Sequence, residues 1–288
     1  MNAIEKFKAA LSGSEIQVLH RCLKQAVQPL PEDAVPWYLG GSQAATGHLT
    51  PVHAKVLQNL SSHWTHVPLG LHWDTPERTH ASRSLALAEF AKQLHDLGYV
   101  TGWRNEKFSY WEEHVIRTGP RCLEPRSLLP AAFEMERSAF RFFGLRSHAV
   151  HVNGFTNEGH LWCGCRALTK PTDPGMLDNV AAGGLPVSES LQSCGVREMA
   201  EEAGISEALA LTAVSHGHVS TCRAVTAGWH HETLWVYNLL VSPDVMPVNQ
   251  DGEVSEFTCL SPKQVLAAIA SNGLTVDAAC VIAHGVLN

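Results

Sequence analysis

The sequence predicts an α/β protein made of a smaller α+β domain, residues 1–143, followed by an α/β domain, residues 144–288. Two observations place the boundary there. Helix-like patterns dominate before Gly144, whereas short apolar strands follow it. The formal charge also changes, from +1 over the first 143 residues to −8 over the rest. With 45% hydrophobic and 17% charged residues, the chain has the composition of an ordinary globular protein.

The first domain combines helices with a pair of strands. Residues 82–98 carry apolar side chains at three-residue spacing and end at Gly98, which predicts a helix. A second helix is predicted from about Pro130 to Gly144. Between them, the aromatic and β-branched residues of "YVTGWRNEKFSYW" (99–111) favour a strand pair.

The second domain alternates strands and helices. Apolar runs at 148–155, 160–165 and 233–241 predict strands. Near the end of the sequence, "SPKQVLAAIASNG" and "TVDAACVIAHGVL" have the periodicity of helices. These patterns support an α/β arrangement of about 145 residues that carries most of the acidic charge.

Composition also excludes several functional classes. No apolar run approaches the roughly 18 residues needed to span a bilayer, and the mixed charges of the first residues are unlike a signal peptide. We therefore expect a cytoplasmic protein without a membrane partner. The acidic second half has no basic stripe that could bind a phosphate backbone, which argues against nucleic acid.

The cysteines and histidines show no metal-binding pattern. The cysteines lack CxxC spacing and are expected to be reduced thiols; they are Cys22, Cys122, Cys163, Cys165, Cys194, Cys222, Cys259 and Cys280. The histidines cluster only at 216–218 and 230–231, without the spacing of a zinc site. Pocket or surface histidines are the favoured interpretation.

Three glutamates crowd into the stretch "REMAEEAG". Residues 191–203 predict a helix, with Ser188 or Ser190 as its N-cap and Gly204 at its C-terminal end. At about 100° per residue the three glutamates face one side, where like charges repel by a few tenths of a kcal/mol per pair. A divalent cation would remove this repulsion, because Mg²⁺ and Mn²⁺ prefer carboxylate oxygens. A solvated acidic face is the alternative.

Residues 183–205 resemble the Nudix box, G-x5-E-x7-R-E-U-x-E-E-x-G-U, in which U is aliphatic. Every fixed position is filled, and the matching residues are Gly183, Glu189, Arg197, Glu198, Met199, Glu201, Glu202, Gly204 and Ile205. The resemblance implies an α/β/α sandwich with a mixed sheet. It also implies Mg²⁺- or Mn²⁺-dependent hydrolysis of a small-molecule diphosphate.

The same resemblance implies roles for the box residues. Glu201 and Glu202 are expected to be metal ligands, and Glu198 a ligand or the general base. Arg197 would orient the glutamates, and Glu189 would support the helix start or reach the metal through water. A further carboxylate from "NQDGEVSEF" would complete the metal site.

That further carboxylate is expected from Glu253 rather than Glu256, although a polar surface turn explains the stretch equally well.

A narrower resemblance covers most of residues 35–260. "WRNE" (103–106), "ERSAFRFFG" (136–144) and the stretch from His151 to Gly184 are similar to Nudix proteins related to fungal thiamine pyrophosphokinase fusions. This group implies hydrolysis of thiamine diphosphate, and especially of its oxidised forms, to the monophosphate and phosphate.

The narrower resemblance also suggests a substrate site. Within it, Arg166, Lys170, Gly183 and Gly184 are candidates for substrate binding, with exposed strand-end charges as the alternative for the two cations. An aromatic ring for a flat heterocycle could come from one of five tryptophans, each of which could equally belong to the core: Trp37, Trp103, Trp111, Trp229 and Trp235.

Three other functions share parts of this pattern. A Nudix hydrolase of ADP-ribose, NADH, coenzyme A or a damaged nucleotide would carry the same box. A Nudix domain that binds a ligand without catalysis would usually lack one of the glutamates, and an isoprenoid diphosphate isomerase would have a degenerate box. The intact box argues against the last two, and homodimer formation is left open.

Overall fold

The computed structural model describes residues 1–74, 79–112 and 131–288. Within them lie two larger sheets and a two-stranded sheet, each flanked by helices, so the mixed α/β class is confirmed. No helix among the described residues is long and apolar enough to cross a membrane.

The chain begins with two short helices, α1 (Ala3–Ala9) and α2 (Gly13–Gln25). Asn2 and Ser12 cap them through reciprocal capping boxes. Their buried side chains Phe7 and Leu19 belong to the same apolar cluster as Phe155 and other residues of the second half. Residues 1–25 therefore pack against the second half, and a domain boundary at 143/144 stays a prediction.

The first sheet has four strands in the order β2-β1-β4-β3. The strands are β1 (Val35–Leu39), β2 (Gly47–Leu49), β3 (Trp64–Val67) and β4 (Gly70–Trp73), with β1 and β4 parallel. Helices α3 (Pro51–Leu60) and α4 (His80–Asp96) accompany the sheet, and α4 confirms the helix predicted from residue 82. The core here includes the fully buried rings of Trp37 and Trp73.

Two predictions for the region before Gly144 are wrong in part. Residues 99–111 contain one strand, β5 (Lys107–Tyr110), rather than two. Its partner is β6 (Phe133–Glu136), which lies inside the stretch predicted to be a helix. The helical part is confined to a 3₁₀ turn, Arg137–Ala139, and α5 (Phe140–Phe143); Pro130 lies outside the described residues.

The burial pattern explains why residues 133–136 form a strand instead of the predicted helix. Phe133 and Met135 are fully buried on alternate positions, which is the period of a strand, and pairing with β5 satisfies their backbone. The α-helical part is limited to the last four residues, Phe140–Phe143, three of which are buried phenylalanines. Tertiary pairing thus overrides local helix propensity.

The second sheet has seven strands. Five form the path β11-β12-β7-β8-β13, with β10 joined to β7 and β9 to β8. The strands are β7 (Arg146–Phe155), β8 (Leu161–Arg166), β9 (Leu177–Asp178), β10 (Ala181–Gly184), β11 (Val214–Val225), β12 (Gly228–Leu240) and β13 (Val254–Leu260). Strands β7 and β12 run parallel, so the sheet is mixed. The three predicted strands are confirmed, and the other four, β9, β10, β11 and β13, are not among the sequence predictions.

Four helices belong to this half. They are α6 (Leu191–Ala203), α7 (Glu207–Ala210), α8 (Pro262–Ala270) and α9 (Val276–Leu287). The helices predicted near 191, 261 and 275 are confirmed. Helix α6 shares an apolar cluster with Val150 and Trp235 of the sheet, whereas α9 packs with Phe155 and Leu161. The glutamates therefore lie on a helix that is fixed against the sheet.

Candidate active site

Helix α6 carries the glutamate cluster and is capped at both ends. Ser190 Oγ accepts a hydrogen bond from the Ser193 backbone N–H, and Ser193 Oγ accepts one from the Ser190 backbone N–H. Gly204 ends the helix with φ 63°, a left-handed conformation that glycine adopts without strain. The predicted helix and its two ends are confirmed, with Ser190 rather than Ser188 as the N-cap.

Glu198 lies directly over the strand that precedes the helix. Its side chain is 13% exposed, and a Cβ at Gly183 would come within 1.7 Å of its Oε1. Burial is the main cause of a raised pKa at Glu198, and the charges of Glu201 and Glu253 act in the same direction. Gly183 thus makes room for this carboxylate.

Glu202 is the most deeply buried glutamate of the helix, with 8% exposure. It accepts a hydrogen bond of 2.8 Å from the Ala182 backbone N–H. Burial raises its pKa well above the ordinary value, and the charge of Glu198 adds to the effect. Two carboxylates are therefore held close together beside β10.

Arg197 connects three glutamates at the start of the site. Its Nε and Nη2 donate to the two oxygens of Glu189 at 2.6 and 2.9 Å. Its Nη1 lies 2.8 Å from Glu198 Oε1 and 2.9 Å from Glu201 Oε2. The hydrogen bond to Glu189 is the main cause of a raised pKa at Arg197. Arg197 is thus always cationic and fixes the positions of its neighbours.

Glu201 differs from the other two helix glutamates. Half of its side chain is exposed, and its carboxylate is turned toward Arg197. Together with Glu189 it lines an open cleft beside the helix. In this arrangement Glu189 and Glu201 pair with Arg197 beside the cleft, Glu198 pairs with Arg197 and also lies against the strand, and Glu202 faces the strand.

The two predicted substrate cations are both paired with carboxylates. Lys170 Nζ forms an ion pair with Glu253, and Arg166 Nη1 lies 2.7 Å from Asp178 Oδ2. Burial acts to raise the pKa of Glu253, but the hydrogen bond and charge of Lys170 outweigh it, so the pKa is lowered.

Asp178 was not among the sequence candidates, although it lies in "PGMLDN" (174–179), within the stretch from His151 to Gly184 that carries the narrower resemblance. It is 9% exposed, and its charge contributes to the raised pKa of Glu202. Glu253 is likewise close enough to act on Glu198, whereas Glu256 is exposed on β13. The structure therefore places Glu253 beside the cluster and leaves Glu256 apart from it.

The donor set fits a hard divalent cation. Glu198 and Glu202 are buried carboxylates that raise each other's energy by repulsion, a cost that a bound cation removes. In the part of the chain that is described, no three box carboxylates come within 4.8 Å of one another. Arg197 accounts for this, because it draws Glu201 toward Glu189.

One further group of ligand-type residues lies away from α6. His230, Glu232 and Asp277 place one ligand atom each within 4.8 Å of the others, the only such group among the described residues. Arg223 already pairs with both oxygens of Asp277, at 2.8 and 2.9 Å. The group is part of an ion-pair network that joins β11, β12 and α9.

The remaining candidates are mostly structural. Four of the five tryptophans are buried, and Trp103 alone among the five is partly exposed. The described cysteines are free thiols, as expected, and Cys122 lies outside the described residues. Burial is the main cause that lowers the pKa of His148 and of His231 to about 3; His148 is a neutral core histidine, and His231 is half-buried.

Comparison with known proteins supports this geometry. A family described as "NUDIX domain" matches residues 145–278. The chain is 35% identical over 226 residues to "Nudix hydrolase 24, chloroplastic" of Arabidopsis thaliana, covering 77% of this chain and 57% of the relative. It is 37% identical over 207 residues to "Nudix hydrolase 20, chloroplastic" of the same plant, covering 71% and 51%. The chain thus spans between half and two thirds of the relatives' length.

Among solved structures, DR0079 from Deinococcus radiodurans is similar in fold, with a TM-score of 0.43 and 19% identity. The similarity covers 64% of this chain and 100% of that one. The names of the plant relatives include "chloroplastic", so a cytoplasmic location stays a prediction. The complete box, the capped glutamate helix and the family match together identify residues 145–278 of this chain as a Nudix domain.

Proposed function

We propose that this chain is a divalent-metal-dependent Nudix diphosphohydrolase. The observation that carries the proposal is the pair of buried carboxylates, Glu198 and Glu202, held against β10 by the space over Gly183 and the N–H of Ala182. Burying two like charges side by side costs stability, so the arrangement has a use only where a cation binds. The names of the two plant relatives support a hydrolase.

The residues of the site would have separate roles in metal binding and in positioning. Glu198 and Glu202 would hold Mg²⁺ or Mn²⁺, with Glu201 and Glu253 as further ligands. The ion would neutralise charge on the diphosphate and activate water. Arg197, fixed by Glu189, would keep the glutamates in position.

Proton transfer has one candidate in this set. Glu198 would accept a proton from water at a carboxylate oxygen if it acts as the base rather than as a ligand. The reaction breaks one P–O bond of the anhydride and adds water across it.

For the substrate we propose thiamine diphosphate or its oxy and oxo forms, cleaved to the monophosphate and phosphate. The motifs "WRNE" and "PGMLDN" support this choice. Trp103 offers a partly exposed ring for the heterocycle, and its Nε1 donates to Asn105 of the cleft at 2.8 Å. A nucleoside diphosphate derivative such as ADP-ribose is the second candidate substrate, because the Nudix box is compatible with hydrolysis of either class of diphosphate.

The experiment separates and quantifies the phosphorylated products formed from a substrate panel with Mg²⁺ or Mn²⁺, because a diphosphate esterified at both ends, such as ADP-ribose, releases no inorganic phosphate. The panel contains thiamine diphosphate, oxythiamine diphosphate, ADP-ribose, NADH, coenzyme A and nucleoside triphosphates. Glu198→Gln removes one charge within the cluster, and Glu256→Gln makes the same change on the exposed face of β13 as a matched control. We expect turnover of the thiamine compounds that is lost in the first variant and kept in the second.

Two other results have clear meanings. Preferential turnover of ADP-ribose or another nucleotide would retain the hydrolase and reject the thiamine substrate. Metal binding without turnover of any compound would contradict the enzyme and favour a ligand-binding domain.

A further inference from the structure

The N-terminal region reaches the Nudix domain at its active site. Strand β5 contacts the loop between β10 and α6. Val187 N donates to Lys107 O at 3.0 Å, and Phe108 forms an isolated β-bridge with Pro186. The Phe108 ring also fills the space over Gly184, where a Cβ would meet it at 2.3 Å. The adjacent Gly183 faces Glu198, so this contact is one residue from the catalytic cluster.

A buried carboxylate fixes the loop that precedes β5. Glu136, 5% exposed, accepts hydrogen bonds from the backbone N–H groups of Arg104 and Glu106, at 3.1 and 3.2 Å. It also accepts from the backbone and hydroxyl of Ser138. The segment "WRNE" of the sequence therefore has a defined position, although most of it is exposed.

This loop forms one wall of the cleft beside α6. The cleft has a volume of about 490 Å³; Asn105, Glu106 and Lys107 line one side, and Glu189, Arg197 and Glu201 line the other. A substrate held at the glutamates would extend into it.

Two cations, Arg104 and Arg137, lie close to this wall, although neither lines the cleft; Lys107 is the cation of the loop that does. The Arg137 guanidinium lies 5.1 Å over the Phe108 ring and 2.5 Å from Glu106, and it keeps 41% exposure. Arg104 is exposed, and among the described residues no carboxylate lies within ion-pair distance of its side chain. The charges of both arginines contribute to lowering the pKa of Glu253, after the larger effects of burial and of Lys170.

The charge balance of the site needs such cations. A diphosphate carries several negative charges. The two cations expected from the sequence, Arg166 and Lys170, are paired with Asp178 and Glu253 and keep 20% and 17% side-chain exposure, whereas Arg137, which is paired with Glu106, keeps 41%. Guanidinium groups are suited to phosphate because they donate two parallel hydrogen bonds.

We propose that the loop 103–107 of the N-terminal region is the outer wall of the substrate site, and that Arg104 and Arg137 bind phosphate oxygens of the substrate there. The inference rests on the proposed diphosphohydrolase function and adds the part of the site that lies outside the Nudix domain. It gives the N-terminal region a direct role in substrate binding.

The test uses inorganic diphosphate as the probe, so that binding is measured apart from turnover. Calorimetry with the full chain in Mg²⁺ compares Arg104→Ala and Arg104→Lys with Arg21→Ala, an exposed arginine on α2. We expect a dissociation constant about tenfold or more higher for Arg104→Ala, a smaller change for Arg104→Lys, and none for Arg21→Ala. Mg²⁺ affinity should be unchanged in all three.

Arg137→Lys is the second variant, because it keeps the positive charge over Phe108 but loses the two parallel N–H donors of the guanidinium group. A weaker affinity for diphosphate with an unchanged melting temperature would support the proposal. Wild-type affinity in both Arg104→Ala and Arg137→Lys would overturn it, as would an equal loss in Arg21→Ala. Arginine-dependent binding without turnover of any substrate would instead refute the hydrolase and leave this wall as a binding site.

Discussion

The Oε1 atom of Glu198 lies where a side chain at Gly183 would be: a Cβ built there would be 1.7 Å from Oε1 and 2.5 Å from Cγ. Gly183 has no positive φ, so its backbone would accept any residue. The requirement for glycine comes from the carboxylate alone.

We therefore predict that Gly183→Ala displaces Glu198 and lowers kcat by at least about a hundredfold, the scale of a lost acid–base or metal-ligand group. The flexible carboxylate can swing away, so the melting temperature should change little. Steady-state kinetics and thermal unfolding test this together. Gly13→Ala, at a helix position with nothing within 4 Å, is the control. Full activity in Gly183→Ala would show that Glu198 has no essential position.

Glu202→Gln should have opposite effects on the stability of the protein with and without metal. Neutralising a buried carboxylate next to Glu198 removes desolvation and repulsion, so the metal-free protein should melt at a higher temperature. The stabilisation caused by Mg²⁺ should be largely lost, because a ligand is missing. Thermal unfolding with chelator and with Mg²⁺ measures both. An unchanged Mg²⁺ effect would remove Glu202 from the ligand set.

Arg197→Lys should not be a conservative change. Lysine cannot reproduce the two parallel bonds to Glu189, so we expect about 1.5–3 kcal/mol lower free energy of unfolding and a reduced kcat. Urea unfolding and kinetics measure these effects. When Arg197→Lys is added to a Glu189→Gln variant, the further loss of unfolding free energy should be small, because the carboxylate that pairs with Arg197 is already gone. Additive losses would mean that the pair does not act as a unit.

The pH dependence of stability should report the buried histidines. Trp235 Nε1 lies 3.2 Å from His148 Nδ1 and needs an acceptor there, so His148 is neutral, and burial lowers its pKa from 6.5 to about 3. Between these values the unfolded chain binds the extra proton. Stability from this group is therefore complete above pH 6.5 and is lost as pH falls toward 3.

The slope attributable to one such histidine is at most about 1.4 kcal/mol per pH unit. Glu202, with its raised pKa, contributes with the opposite sign, so a variant is needed to isolate the histidine. We predict that His148→Asn lowers stability at pH 7.5 but reduces its loss between pH 6.5 and 5, as measured by urea unfolding. An unchanged slope would contradict a buried neutral His148.

Glu136→Gln should act on substrate binding through the loop that it holds. The variant loses the charge that accepts from Arg104 N and Glu106 N, and we expect about 1–3 kcal/mol lower stability. KM for the diphosphate substrate should rise more than kcat falls, because the glutamates of α6 are untouched. Kinetics at a temperature well below unfolding tests this. A fall in kcat alone would exclude the positioning role.

Some features follow from local sequence because they depend on near neighbours. Ser190 and Gly204 bound α6 as predicted, since capping and left-handed glycine are decided within one turn of helix. The segment from Phe133 to Glu136 shows the limit. Its residues favour helix locally, but pairing with Lys107–Tyr110 makes it a strand.

The Nudix box, the ends of its helix and the carboxylates on that helix follow from spacing along one element, and the amino-acid sequence alone predicts them. The folded structure is needed to see that Arg166 and Lys170 are paired with acids, that Asp178 lies beside the cluster and that Arg104 and Arg137 lie near its edge. Those relationships join residues far apart in the chain. They depend on strand pairing and burial, which no local pattern encodes.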